Sequence, residues 1–294
     1  MKKAVLFPGQ GSQFVGMGKE LFDISITAKR LAEQANDVLG FDILTMMLEG
    51  PEEQLKQTNV TQPAVFIHSL SALKANEERI DFQAVAGHSL GEISALVASD
   101  CISFEEGLLL VKERAESMQS ACEQTEGTMA AILGLDDNIV EDVCSSIDEV
   151  VVSANYNCPG QLVISGSVSG IDSAVAELKE KGARRALVLN VGGAFHSPLM
   201  KPAADRLATQ IEKTSFQVPK VPIYQNVTGQ AHTDPAEIKN NVLKQLTAPV
   251  KWTQIMQQMI ADGFGDFVEL GGNGKTLAGF LKRIDRNLPV QAYV

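Results

Sequence analysis

A serine set between two glycines, where an apolar run gives way to a helical one, has the form of a nucleophile. Gly87-His88-Ser89-Leu90-Gly91 has that form. Phe82–Ala86 before it suits a short buried strand and the run from Leu90 to Ala98 a helix, the strand–turn–helix context that a G-x-S-x-G elbow requires. The glycines leave room for a sharp turn that lifts the hydroxyl out of the sheet. The same turn sets the Leu90 N–H at a helix N-terminus, where it can meet a developing negative charge. A serine that only caps the helix would read the same way, so the pentapeptide alone leaves both roles open.

A hydroxyl nucleophile needs a base, and the chain has four histidines. His88 adjoins Ser89, but side chains diverge on a sharp turn, so it is expected to pack or hydrogen-bond beneath the elbow. His68 lies in a helical stretch and reads as a satisfied core or surface residue. His232 lies in a polar turn and reads as solvated. His196 occupies Gly192-Gly193-Ala194-Phe195-His196-Ser197-Pro198, where Ser197 and Pro198 resemble an N-cap and first helical residue. A histidine on a glycine-rich loop before a helix is well placed to face a cleft, so His196 is the candidate base.

Two further features bear on the chemistry. The loop Phe7-Pro8-Gly9-Gln10-Gly11-Ser12-Gln13 lacks the lysine and hydroxyl residue of a phosphate-binding loop. In a serine enzyme on a parallel sheet such a loop supplies the second oxyanion donor, here the N–H of Gln10. On a wheel at ~100° per residue, the helix expected over Phe104–Cys122 collects Leu108, Leu110, Val111, Ala115, Met118, Ala121 and Cys122 on one face. Arg114 falls within that apolar face. A buried guanidinium needs an anion: a carboxylate from elsewhere in the fold, or a ligand carboxylate gripped by two parallel hydrogen bonds.

These residues must be positioned by alternating strands and helices, which predict an α/β fold with a mostly parallel sheet. The expected elements begin with a strand at Ala4–Phe7, then helices near Gly18–Phe22, at Thr27–Leu39 and at Pro63–Glu78. From Met129 the expected order is strand, helix, strand, strand, helix, strand, ending at Asn190. This βαββαβ order is the ferredoxin-like arrangement. The expectation is a main subdomain of residues 1–126 and 192–294, with residues 127–191 inserted as a ferredoxin-like subdomain. The main part then continues with a helix at Pro198–Lys213 and strands near Val221–Gln225 and Phe267–Glu269.

Bulk properties narrow the class. At 45% hydrophobic and 21% charged residues, the 294-residue chain can bury a sizeable core. A net charge of −11 argues against a nucleic-acid groove and against attraction to anionic membranes. No apolar run approaches the roughly 18 residues that span a bilayer, and the apolar stretch after Lys2-Lys3 is too short for a signal-peptide core. Cys101, Cys122, Cys144 and Cys158 are widely spaced, which suggests reduced thiols in a cytoplasmic protein and no metal site.

In combination, PGQGSQ at 8–13, GHSLGE at 87–92, Arg114 with Met118-Gln119, NCPGQLVISG at 157–166 and FHSPLM at 195–200 resemble the bacterial malonyl-CoA:acyl-carrier-protein transacylase family. The same family includes the acyltransferase domains of fatty-acid and polyketide synthases, and the resemblance runs in order along essentially the whole chain. It implies an α/β-hydrolase-like main subdomain with Ser89 as the malonylated nucleophile and His196 as base and acid. Gln10 and Leu90 would be the oxyanion donors, and Arg114 the partner of the malonyl carboxylate. Gln245 would orient the histidine through its main-chain carbonyl. Phe195, Met118 and Asn157 would lie on the substrate side. The implied partners are malonyl-CoA and acyl carrier protein, with no cofactor, and a monomer is expected.

The chain departs from the family pattern twice. Ala248 stands where an asparagine is usual before Pro249-Val250, and Gly271-Gly272-Asn273-Gly274-Lys275 replaces a shorter GPGK. The activity expected is ping-pong malonyl transfer for fatty-acid synthesis. The alternatives are a trans-acting polyketide acyltransferase, a serine hydrolase or thioesterase on a related fold, and a catalytically dead acyl- or carrier-binding module.

Overall fold

The computed structural model describes all of residues 1–294. Its ten strands are β1 (Lys2–Phe7), β2 (Ala84–Gly87), β3 (Thr128–Leu133), β4 (Val151–Cys158), β5 (Gln161–Gly166), β6 (Arg185–Val188), β7 (Ile223–Tyr224), β8 (Ala231–His232), β9 (Phe264–Leu270) and β10 (Val290–Tyr293). Six form one sheet in the order β10-β9-β1-β2-β7-β8. All its pairings are parallel except that of β7 with β8. β1 and β2 read Ala-Val-Leu-Phe and Ala-Val-Ala and are buried on both faces, as a parallel sheet covered by helices demands.

The other four strands form a separate antiparallel sheet in the order β4-β5-β3-β6. With the helices Asp137–Ser146 and Val168–Glu180 between strands, this is the ferredoxin-like order read from the sequence. Alternation divides its two faces. Ala130, Ile132, Leu162, Ile164 and Ala186 pack against the two helices. Met129 and Val163 point the other way and join the large core under the main sheet.

Several boundaries moved. The helix expected from Pro63 starts at Thr58, with Pro63 inside it, and this extension carries Gln62. The strand expected over Val221–Gln225 shrinks to Ile223–Tyr224. Five helices went unread: Ile43–Glu49, Glu52–Leu55, Pro235–Lys244, Trp252–Ala261 and Thr276–Ile284. β8 and β10 were also missed. No helix is long and apolar enough to cross a membrane.

Candidate active site

β1 and β2 lie side by side in register, Phe7 against Gly87, so the loops that follow both strands emerge together at one sheet edge. The first is the Gln10 loop and the second is the elbow. Both elbow glycines are required by contact. A Cβ on Gly87 would stand 1.9 Å from the Gly91 carbonyl, and one on Gly91 would stand 2.1 Å from the Phe7 carbonyl oxygen. Ser89 adopts a left-handed backbone with φ 54°, a conformation that costs a non-glycine residue about 1–3 kcal/mol and recurs at functional sites. His196 is also left-handed, at φ 57°.

Ser89 Oγ lies 2.7 Å from His196 Nε2. On its other side, His196 Nδ1 faces two carbonyl oxygens, Gln245 at 3.0 Å and Ala248 at 3.2 Å. Both can only accept, so Nδ1 carries the proton and Nε2 is free to take one from the serine. The departure to alanine at 248 thus falls on a residue that touches the histidine through its backbone. Burial, followed by the nearby Arg114 guanidinium, pushes His196 down to about 3, which keeps the ring neutral.

The wheel placed Arg114 correctly: it is 2% exposed on the apolar face of the helix Phe104–Gln124. A carboxylate partner from within the fold does not meet it. Nη1 donates to Gln62 Oε1 at 2.7 Å, and Nη2 donates to Ser89 Oγ at 3.0 Å and Gln245 Oε1 at 3.2 Å. Nε donates to nothing. A buried cation with only neutral acceptors is short of one anion. Burial lowers its pKa to about 10, with the buried Glu92 pulling the other way.

Ser89, His196, Arg114, Gln10, Met118, Asn157 and Phe195 all line one cleft of about 750 Å³. Its walls come from both sheets: the elbow and Gln10 loop on one side, Met129, Val163 and Leu189 on the other. The Leu90 side chain is buried in the core, so its part concerns only the backbone amide. Neither the Leu90 nor the Gln10 amide donates to a protein acceptor. One unpaired N–H on the residue after Ser89 and another on a loop lining the same cleft are donors of the kind an oxyanion site uses.

The Asn157 side chain is engaged with the protein. Its Oδ1 accepts from His88 Nε2 at 2.8 Å, and the His88 ring packs 5.6 Å from that of Trp252. His88 therefore sits packed and bonded by the elbow, as its position suggested. His68 is fully buried and lowered to about 4 by that burial, but neither ring nitrogen finds a hydrogen-bond partner, so it is a core histidine without the satisfaction expected. His232, expected in solvent, is half-buried in β8 between Thr228 and Glu237. The longer glycine loop at 271–274 packs on the Gln10 loop: a Cβ on Gly272 would come within 2.6 Å of Ser12 Oγ.

Sequence reading missed Gln62, which donates from Nε2 to Met118 Sδ while its Oε1 receives Arg114. It also missed the Gln245 side chain, which accepts from Arg114 and donates to the Ser89 carbonyl at 3.1 Å. The apolar run Pro63–Ile67 directly after Gln62, on a helix buried nearly throughout, was the one available signal for the first. The second had none.

An α/β protein with an elbow serine, a carbonyl-oriented histidine and a buried arginine in one cleft is built for acyl chemistry. The family model described as the acyl transferase domain matches residues 5–282, and the chain belongs to that family. It is 43% identical over 291 residues to the malonyl CoA-acyl carrier protein transacylase of Bacillus subtilis, covering 98% of this chain and 92% of the relative. The solved malonyl CoA-acyl carrier protein transacylase of Coxiella burnetii superposes with a TM-score of 0.96 at 38% identity, covering 100% of this chain and 94% of the other. A malonyl-transacylase solved in complex with its type II PKS acyl-carrier protein superposes with a TM-score of 0.95 at 36% identity, covering 99% and 96%.

Proposed function

We propose that this protein is an acyl-carrier-protein S-malonyltransferase that supplies extender units for fatty-acid synthesis, working in the cytoplasm through a malonyl-serine intermediate. The observation that carries the reading is Arg114. It is a buried guanidinium without an anionic partner, bonded to the hydroxyl of an elbow serine that also meets a neutral imidazole. A substrate whose carboxylate is separated from its thioester carbon by a single methylene would satisfy the charge and present the reacting carbonyl to Ser89.

His196 Nε2 takes the Ser89 proton as Oγ attacks the thioester carbon, and the carbonyl oxygen becomes an oxyanion facing the Gln10 and Leu90 amides. Collapse expels the CoA sulfur, which takes the proton back from His196. The pantetheine thiol of acyl carrier protein then gives its proton to His196, attacks the malonyl ester and leaves as the malonyl thioester, while Ser89 is reprotonated. Substrate binding also tunes the base. Once the malonyl carboxylate pairs with Arg114, the positive charge that depresses His196 is offset and the imidazole becomes more basic. Phe195 and Met118 supply apolar wall, and Gln245 fixes the ring through its carbonyl.

The carrier is expected to be acidic and must find local positive charge on an acidic enzyme. Arg185 of β6 and Gln161 of β5 both pair with Leu133 of β3, and Arg283 Nη1 donates to Gln161 Oε1 at 2.9 Å. Cations from the second sheet and from the helix Thr276–Ile284 therefore share one end of that sheet. Leu187, 51% exposed, lies between Arg185 and the cleft residue Leu189 on the same strand face. This lip is the proposed carrier contact.

The decisive experiment is intact-protein mass spectrometry with a panel of acyl-CoAs. Malonyl-CoA should add one malonyl group that Ser89→Ala abolishes and that carrier protein, but not water, removes. Rapid release of free malonate without acceptor would make the protein a hydrolase, and no adduct would leave binding alone.

A further inference from the structure

Behind the elbow, away from the cleft, lies a group of buried polar side chains that the reaction does not touch: Glu92, Gln225 and Asn226, all 0% exposed. Asn226 spans the turn. Its Oδ1 accepts from the Ser89 N–H at 2.7 Å, and its Nδ2 donates to the Gly87 carbonyl at 2.7 Å. These two backbone groups flank the left-handed turn at Ser89, and one amide side chain satisfies both.

Asn226 is held in turn. Its own N–H donates to Glu92 Oε2 at 2.6 Å, and Gln225 Nε2 reaches Glu92 Oε1 at 3.4 Å. Gln225 is fixed by Asn241, whose Nδ2 donates to Gln225 Oε1 at 2.9 Å. Glu92 is the second residue of the helix that the elbow begins, Gly91–Ala98, so the clamp closes back on the element that carries Ser89. Burial raises the Glu92 carboxyl to about 7, and the Asn226 amide is the largest influence holding it down.

We infer that Asn226, anchored by Glu92, is a positioning residue for the nucleophile: its side chain holds the Gly87–Ser89 backbone in the turn that aims Oγ at His196. The inference rests on Ser89 being the acylated residue. Neither Asn226 nor Glu92 lines the cleft, so Asn226 acts on the rate of attack and leaves substrate affinity to Arg114 and the cleft walls, whereas Glu92 also bears on the Arg114 charge.

The test separates attack from binding. The acylation rate is measured by rapid quench and intact mass with malonyl-CoA. Affinity is measured by titrating malonyl-CoA into the same variants built on Ser89→Ala. Asn226→Asp preserves size and the acceptor for the Ser89 N–H but sets an oxygen against the Gly87 carbonyl. Acylation should fall about 10- to 100-fold, as for a nucleophile held slightly out of line, with the dissociation constant unchanged within about twofold. Glu92→Gln keeps an oxygen for the Asn226 N–H and should stay within about threefold of wild type, whereas Glu92→Leu should lose as much as Asn226→Asp. The inference is overturned if Asn226→Asp acylates at the wild-type rate, or if rate and affinity fall together. Should Asn226→Asp fail to fold, equal acylation by Glu92→Gln and Glu92→Leu overturns it instead. Wild type that gains no mass on Ser89 would refute the nucleophile assignment itself, a separate result.

Discussion

Replacing Arg114 by alanine should change which acyl groups the enzyme accepts more than whether it works. In the structure the guanidinium makes three hydrogen bonds to neutral groups, one of them to Ser89 Oγ at 3.0 Å. A neutral acyl-CoA loses only that donor and the order it imposes, worth about 0.5–1.5 kcal/mol, or roughly tenfold at most. Malonyl-CoA loses in addition the partner of its carboxylate, which is left charged at the buried end of the cleft, where Arg114 is 2% exposed. Breaking a buried pair from one side costs about 3–5 kcal/mol, which at 1.36 kcal/mol per decade is between two and four powers of ten in kcat/KM. The assay compares malonyl-CoA with acetyl-CoA as donors to the same carrier protein, in wild type and Arg114→Ala. The ratio of the two kcat/KM values should collapse by at least about a hundredfold. Equal losses on both donors would refute the reasoning and make Arg114 a structural residue.

Two further outcomes are expected. Because burial and Arg114 hold His196 near 3, its neutral, active form persists as pH falls through the ordinary histidine range. Acylation by acetyl-CoA should show no limb near 6.5, and Arg114→Ala, by removing one depressing charge, should move the acid limb upward; a wild-type limb near 6.5 would contradict the assigned environment. Charge reversal at Arg185 and Arg283 together should raise the KM for carrier protein several-fold, about 0.5 kcal/mol per lost rim contact, and leave Ser89 acylation by malonyl-CoA unchanged; unaltered carrier kinetics would place the contact elsewhere.

What the sequence disclosed of the site was whatever local pattern can carry. Gly87 and Gly91 mark an elbow because no Cβ fits there, and Arg114 stands out because its helix is otherwise apolar on that side. The βαββαβ order was legible from alternation and periodicity alone. Asn226 left no such trace: it follows a two-residue strand and meets Ser89 across 137 positions of chain. Gln62 was hidden because Pro63 reads as a helix start, whereas the helix begins at Thr58 and accommodates the proline in its second turn. The helix at Pro235 could have been found, since Asp234 caps it and proline follows at its first position. Trp252–Ala261 and Thr276–Ile284 are ten and nine residues long, short enough for tertiary packing to outweigh their local signals.

Ser89 and His196 share the left-handed backbone that the rest of the chain assigns almost wholly to glycine, Asp100 being the other exception. Both side chains proposed to do the chemistry are therefore held on a backbone that glycine adopts more readily. Selection for heat resistance alone would favour glycine at 89, relieving the turn and leaving an inert molecule. The working enzyme is the less relaxed of the two, and only the demand for turnover keeps it so.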